Sequence, residues 1–275
     1  MIFQNFSPTP PLRQFVKTYH LRHFKFNPRD PIPVKTFPPR PEQYMFFYPR
    51  GFETTTFLHD KITCKRSSPT ISGQLTQRID RLVSQEFLII QVAFHPGALH
   101  QLTGIPFHEL INKFVELENI YPIESSIITD QLAEAKSYQE MISLVDSFLL
   151  ALFNKKSKVT ERPFDKVIPL LYQGYNSVSI DKLASDACLS IRQFERLSKD
   201  YLGVSPKMMQ RISRFTSTYI MRARHPEYSW LQIALDCGYE DYQHLVRDYK
   251  DFSEVTPNQL VRADQNAPDR VLGLR

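Results

Sequence analysis

SPKMMQRISRFTSTYIMRAR, residues 205–224, reads as one long helix. Ser205 is a residue type that caps helix N-termini, and Pro206 follows at the first helical position, where its missing N–H costs nothing. Met208, Ile212, Phe215, Tyr219 and Ala223 recur at spacings of four, three, four and four, which places them on one apolar stripe. Lys207, Arg211, Arg214, Arg222 and Arg224 add positive charge around it. At about 1.5 Å per residue the rod spans roughly 30 Å. Successive major-groove entries on one face of a duplex lie about 34 Å apart, so a rod of this length can hold two reading heads over adjacent turns.

The segments flanking the rod are copies of one another. LASDACLSIRQFERLSKDYLGVSP, 183–206, stands before it and IALDCGYEDYQHLVRDYKDFSEVTP, 233–257, after it. Leu183-Ala184 matches Ile233-Ala234 at an offset of 50; Arg196, Lys199 and Asp200 match Arg247, Lys250 and Asp251 at 51. The extra residue falls in the turn between two helices, and a repeat of this kind is read before anything else. In the first copy Ile180, Leu183, Ala184 and Ala187 make a short apolar face, Cys188-Leu189-Ser190 turns the chain, and Phe194 and Leu197 point inward. Arg192, Gln193, Glu195, Arg196 and Lys199 are left outward. In the second, Trp230, Ile233 and Ala234 pack, Gly238 permits the tight turn, and Leu245 and Tyr249 point inward. Tyr242, Gln243, His244, Arg247 and Lys250 are outward. A helix-turn-helix unit lays its second helix in the major groove, where Arg suits guanine, Gln suits adenine and Lys takes phosphate.

Residues 164–262 resemble the DNA-binding domain of the AraC/XylS family of bacterial transcription regulators. The resemblance rests on LA-x3-CLS-x3-F-x-R-x2-K-x3-G-x-SP followed by IA-x3-GYED-x3-L-x-R-x-YK-x5-TP. It implies that Arg192, Gln193, Glu195 and Arg196, with Tyr242, Gln243, His244 and Arg247, face bases. Two positions depart from the pattern: Ser198 stands in place of an aromatic and Glu254 in place of a glycine, neither of them base-facing. The resemblance further implies a cupin-like N-terminal half that senses a small molecule or dimerises. Expected partners are double-stranded DNA, a small-molecule effector, a second copy and RNA polymerase. FHPGALHQLTGIPFHEL resembles, more loosely, a segment of some members' sensory halves and names no ligand.

Charge is unevenly spread. Residues 182–225 carry nine Lys/Arg against three Asp/Glu, a net of +6, whereas 226–275 carry five against nine, a net of −4. Phosphate contacts dominate affinity for DNA, so the first unit with the rod is expected to supply most binding and the second to tune specificity. The whole chain of 275 residues has net charge +5 and is 42% hydrophobic, enough for one or two cored domains. Cys64, Cys188 and Cys237 are far apart in sequence, suiting a reducing compartment. Cys188 and Cys237 read as small buried residues. No apolar run reaches 18 residues and the first residues lack a signal pattern, so a cytoplasmic protein is expected.

Ten of the 20 prolines precede residue 50, which excludes a mostly helical N-terminal region. Only Leu12–Tyr19 is predicted as a short helix there. Phe24, Phe26, Val34, Phe37, Tyr44–Tyr48, Thr54–Leu58 and Thr70–Gln74 read as strands, and Phe87–Phe94 (FLIIQVAF) as a buried central one. Helices are expected over Ala98–Thr103, Pro106–Asn112, Ile123–Ala135, Tyr138–Phe153 and Phe164–Tyr175. The apolar face of 138–153 packs either on the barrel or on the same helix of a second copy. The expected fold is therefore α+β in two domains: a cupin-like barrel or sandwich followed by helices (1–157), a linker (158–163), and an all-α double helix-turn-helix half joined by a long central helix (164–275).

Catalytic and metal chemistry find no support in the sequence. His20 and His23, three apart, fall on opposite faces of a strand; His95, His100 and His108 span a turn and two helix starts. No set converges as metal ligands must. There is no Gly-rich phosphate loop and no nucleophile elbow. Lys65 and Arg66 follow Cys64 in ITCKRSS and would favour a reactive thiolate; the alternative, which the segment suits better, is an ordinary strand residue. Phe37, Tyr44, Phe46, Phe47 and Tyr48 either line an apolar pocket or fill a core. A sequence-specific regulator without cofactor or enzymatic activity is expected; a ligand-free DNA-binding adaptor and an enzymatic barrel are the alternatives.

Overall fold

The computed structural model describes residues 1–156, 162–173 and 178–265. Its N-terminal half is built on ten strands: β1 (Ile2–Phe6), β2 (Val16–Lys25), β3 (Lys35–Phe37), β4 (Tyr44–Arg50), β5 (Glu53–Phe57), β6 (Ile62–Arg66), β7 (Thr70–Ser72), β8 (Ile79–Val83), β9 (Glu86–Phe94) and β10 (Phe114–Glu116). One sheet has the order β1-β2-β9-β4-β7-β10, the other β3-β8-β5-β6, and their pairings are antiparallel.

FLIIQVAF becomes β9, held between β2 and β4. Both faces of it are covered, which is why it reads as a continuous apolar run rather than an alternating one. Leu88, Ile90, Val92 and Phe94 join the core beneath the helices. Phe87 and Ile89 face the second sheet with Phe46 and Tyr48. The aromatic run 44–48 splits in the same way, since successive strand residues point to opposite faces: Met45 and Phe47 go to the first core, Phe46 and Tyr48 to the second.

Three helices cover the outer face: α1 (Ala98–Thr103), α2 (Pro122–Glu134) and α3 (Tyr138–Lys155). Met141, Val145, Leu149 and Leu152 of α3 are buried in the core of their own chain. The buried Asp146 pins this helix to the sheet, accepting from Tyr19 Oη at 2.7 Å and from Thr9 N and Oγ1 at 3.1 and 2.6 Å. The apolar face expected either here or at a dimer contact is thus consumed by the domain itself.

The C-terminal half is helical: α4 (Pro163–Val167), a 3-10 turn over Ile168–Tyr172, α5 (Ile180–Asp186), α6 (Ile191–Leu202), α7 (Pro206–Arg224), α8 (Trp230–Asp236), α9 (Tyr242–Ser253) and α10 (Pro257–Gln265). The expected linker 158–163 lies mostly outside the described residues, and Pro163 already begins α4.

Five local expectations fail. Pro106–Asn112 is not an α-helix, since only Phe107–Leu110 coils, in 3-10 geometry. Burial pushes the Cys64 thiol up although Arg66 works the other way, so its thiolate is not favoured. Leu12–Tyr19 is not a helix: Pro10–Leu12 makes a 3-10 turn, and Val16 opens β2, where Tyr19 pairs with Phe6 on one side and Val92 on the other. The helix expected over Phe164–Tyr175 ends outside the described residues; up to Gln173 it is not one α-helix but turns to 3-10 geometry at Ile168, and Pro169 lacks the N–H an α-helix would use there. Cys188 is exposed rather than buried, with φ 55°. Strands β1, β8 and β10 are absent from the sequence reading, while β6 is anticipated only through the strand reading of Cys64. Each is short, and all but β8 lie at sheet edges.

Candidate DNA-reading surface

The rod is unbroken from Pro206 to Arg224, and the Ser205 side chain accepts from Met208 N at 3.3 Å to cap it. Its buried face is Met209, Ile212, Ser213, Phe215 and Thr218, with Met208 and Tyr219 half-buried and Ala223 exposed. The stripe is wider than its apolar residues because α7 has a core at each end. Met209 belongs to the first unit's core, Ile212 and Phe215 to the second's, and Met208 touches both. Ser213 is accommodated by hydrogen bonds to Leu171 O at 3.1 Å and Met209 O at 2.8 Å.

Each unit repeats the same hydrogen bonds. Ser179 and Ser229 cap the first helices, accepting from Lys182 N and Gln232 N. Ser190 and Asp241 cap the second, accepting from Gln193 N and His244 N at 3.3 and 2.6 Å. In the turns, Leu189 N and Tyr239 N donate to Ala184 O and Ala234 O, both at 2.9 Å. The two alanines are buried, letting the helices approach closely.

On α6, Arg192, Gln193, Glu195, Arg196 and Lys199 are all exposed. Gln193 is partly committed, because its Oε1 accepts from Ser190 N at 3.0 Å and Ser190 Oγ at 2.9 Å in a capping box. Its amide N–H groups remain to donate. On α9, Gln243, Arg247 and Lys250 are exposed, while Tyr242 and His244 are half-buried. Tyr242 packs against the second core, and His244 leans on Tyr239 with Nε2 3.4 Å from Arg214 Nη2. Gln243 and Arg247 are therefore the most available side chains of the second head.

The rod's own charges are less available than its sequence suggests. Arg211 bonds Asp248 Oδ1 at 2.6 Å and Asp251 Oδ2 at 2.7 Å, and Arg214 lies 3.6 Å from Asp248 Oδ2 over the ring of Tyr239. Burial works against the charge on Arg211, but the two aspartates more than offset it and hold its pKa above the ordinary value. Setting these two arginines against these two aspartates leaves +4 for residues 182–225 and −2 for 226–275, a milder asymmetry than the raw +6 and −4. The buried Asp248, with Tyr239 Oη donating to it at 2.9 Å, carries no signal in the sequence beyond its place in the repeat.

Residues 183–263 match the family described as a helix-turn-helix domain, and residues 4–116 match one described only as a domain of unknown function (DUF6597). Residues 183–263 belong to the AraC-type helix-turn-helix family. Among curated relatives of this AraC-type chain, an uncharacterized HTH-type transcriptional regulator of Haemophilus influenzae is 23% identical over 174 residues, covering 60% of this chain and 55% of its own. The HTH-type transcriptional regulator ArgR of Pseudomonas aeruginosa is 31% identical over 85 residues, 30% of this chain and 25% of its own. The chain thus spans about half of the first relative and a quarter of the second. Among solved structures, ToxT from Vibrio cholerae aligns over 91% of this chain and 98% of its own, with 12% identity and a TM-score of 0.46. Among the described residues no three His, Cys, Asp or Glu side chains are grouped to hold a metal, and no helix is long and apolar enough to cross a membrane.

Proposed function

We propose that this chain is a sequence-specific, non-enzymatic transcription regulator whose two AraC-type units read successive major-groove segments of double-stranded DNA. The observation that carries this reading is the pairing of two exposed second helices with one unbroken helix shared by both cores. The bases are read by Arg192, Gln193, Glu195 and Arg196 in the first unit, and by Gln243 and Arg247, with the more recessed Tyr242 and His244, in the second. Lys199 and Lys250 take phosphate. A protein of this kind works in the cytoplasm, beside the chromosome. The chain divides into residues 1–157, a linker at 158–163 and the DNA-binding half from 164; the first part senses a small-molecule effector. A second copy and RNA polymerase are the further partners of such a regulator.

Selection of bound DNA from random sequence, followed by footprinting, is expected to yield two protected patches about 10 bp apart per chain. Absence of any salt-dependent affinity for DNA would refute the reading.

A further inference from the structure

Between the two sheets lies a chamber of about 320 Å³, walled by Phe24, Phe37, Tyr44 and Phe87 and by the cations Arg40 and Arg81. A smaller recess of about 20 Å³ adjoins it, sharing Phe37, Arg40, Tyr44 and Arg81 and reaching Arg66. The recess has room for about one water.

The charges at this end do not balance. Glu53 is fully buried, and its carboxylate is bound by Arg66 and by Arg81. Burial would push the Glu53 carboxyl up, but the guanidinia of Arg81 and Arg66 hold it below the usual range. One carboxylate against two guanidinia leaves a positive charge over. Arg66 is 4% exposed, and its Nε and Nη1 have no hydrogen-bond partner. Its Nη2 is engaged by Glu53 and by Thr55 Oγ1 at 2.6 Å, and its guanidinium lies 3.4 Å from the centre of the Phe114 ring. The Tyr48 hydroxyl, from the same face of the sheet, is also buried without a partner. Arg40, stacked over Phe37 at 4.9 Å, makes no ion pair among the described residues. The other acid of the wall, Glu42, accepts from the Tyr44 hydroxyl; with it counted, the guanidinia of Arg40, Arg66 and Arg81 still exceed the carboxylates of Glu42 and Glu53 by one. A buried charge without a counter-charge and buried donors without acceptors are both costly. A water can satisfy a donor but cannot neutralise the excess charge.

We propose that this chamber binds a small organic anion with a flat apolar body, the acidic group meeting Arg40 and Arg81, which line both cavities, with the charge of Arg66 behind them in the recess, and the body lying among the aromatic rings. A pocket of this volume suits a drug-sized molecule, and a charge-assisted contact to guanidinium is the strong kind. The wall also touches the DNA-binding half. Arg40, Glu42 and Tyr44 face the chamber, while the intervening Gln43 donates to Tyr201 O of α6 at 2.8 Å and Pro39 O accepts from Thr216 Oγ1 of α7 at 3.4 Å. An occupant that shifts residues 39–44 therefore biases the placement of α6 and α7, and by linkage DNA changes the affinity for the occupant equally. This last step rests on the regulator reading; the site itself does not.

The test is fluorescence titration of the full chain with 8-anilinonaphthalene-1-sulfonate and with its uncharged counterpart N-phenyl-1-naphthylamine, with stoichiometry from calorimetry. One anion per chain is expected, bound about tenfold or more tighter than the neutral dye. Arg66→Met is expected to erase that preference. Arg40→Gln, at a half-buried residue outside the Glu53 cluster, is expected to weaken the anion about tenfold while leaving the neutral dye unchanged, and it keeps the test decisive should the Arg66 variant not fold. Equal affinity for the two dyes, no saturable binding of the anion, or an Arg40→Gln variant indistinguishable from the parent overturns the site. DNA affinity is then measured with and without saturating anion. Loss of DNA binding in both states removes the regulator reading and leaves the site standing; DNA binding unaffected by a bound anion removes only the coupling.

Discussion

The two helix-turn-helix units share a backbone and differ inside it. Their caps and turn hydrogen bonds coincide, yet the residues that occupy the strained positions are exchanged. In the first unit the turn residue with positive φ is Cys188 (55°) and the residue closing the second helix is Gly203 (87°). In the second the turn residue is Gly238 (76°) and the closing one Glu254 (60°). Each unit thus has one glycine where left-handed backbone is needed and one side chain held there against its preference. The interiors differ more. Leu189 and Leu197 of the first unit correspond, by offsets of 50 and 51, to Tyr239 and Asp248 of the second. An apolar contact in one copy is a buried carboxylate network in the other, tied back to the rod through Arg211. A repeat therefore keeps its backbone hydrogen bonding while leaving each copy free to choose its core chemistry.

The largest expected contrast lies in that pair. Asp248→Ala strands the Tyr239 hydroxyl and leaves Arg211 with Asp251 alone, and is expected to cost about 3 kcal/mol. Leu197→Ala, at a half-buried apolar site, should cost about 1 kcal/mol. Urea unfolding of the two variants measures both, and equal losses would show that the carboxylate network contributes no more than the leucine it corresponds to.

Binding to DNA gives the next contrast. Arg196→Ala is expected to weaken binding to a selected site by about 1–3 kcal/mol, and Arg247→Ala by less. The first unit taken with the rod carries the greater net positive charge even after Arg211 and Arg214 are set against Asp248 and Asp251. Anisotropy titrations across a salt series report both, and Lys199→Ala should reduce the salt slope by about 1. Equal losses for the two arginines would mean that the surviving charge difference does not apportion the binding.

The smallest effects concern the exchanged strain. Cys188→Gly and Glu254→Gly should each stabilise by about 0.5–1 kcal/mol, since a side chain in left-handed backbone costs more than the extra chain entropy of glycine. Gly203→Ala should destabilise, and more so because a Cβ there would meet Phe107 O at 3.0 Å. Thermal melts in which Glu254→Gly lowers the midpoint would show that Glu254 makes a compensating contact.

Much of the DNA-binding half was legible because its signals are local. Ser205 and the apolar spacings of each unit announce a cap and helix faces within a few residues of themselves, and the repeat supports one unit by the other; the Asp241 cap was not among these readings. The β-rich half was legible only at its centre. β9 announces itself by length and by β-branched and aromatic content, whereas Leu12–Tyr19 has a composition that suits either helix or strand. It becomes a strand because β1 and β9 offer backbone partners on both sides. Cys188 reads as a small buried residue from its type alone; the turn that turns it outward is set by the neighbouring helices. Gln193 looks free for base contact in sequence, and only the cap geometry reveals that Ser190 holds its carbonyl oxygen.

By itself the sequence determined the rod, the paired heads, their caps and the central strand, because helix periodicity, capping and strand burial are properties of residues close along the chain. Tertiary structure alone decided that Arg211 faces Asp248 across 37 positions, that Glu53 sits between Arg66 and Arg81, and that residues 39–43 touch both the chamber wall and the DNA-binding half. Those pairings depend on where distant backbones meet, and the strength of a buried charge depends on everything packed around it.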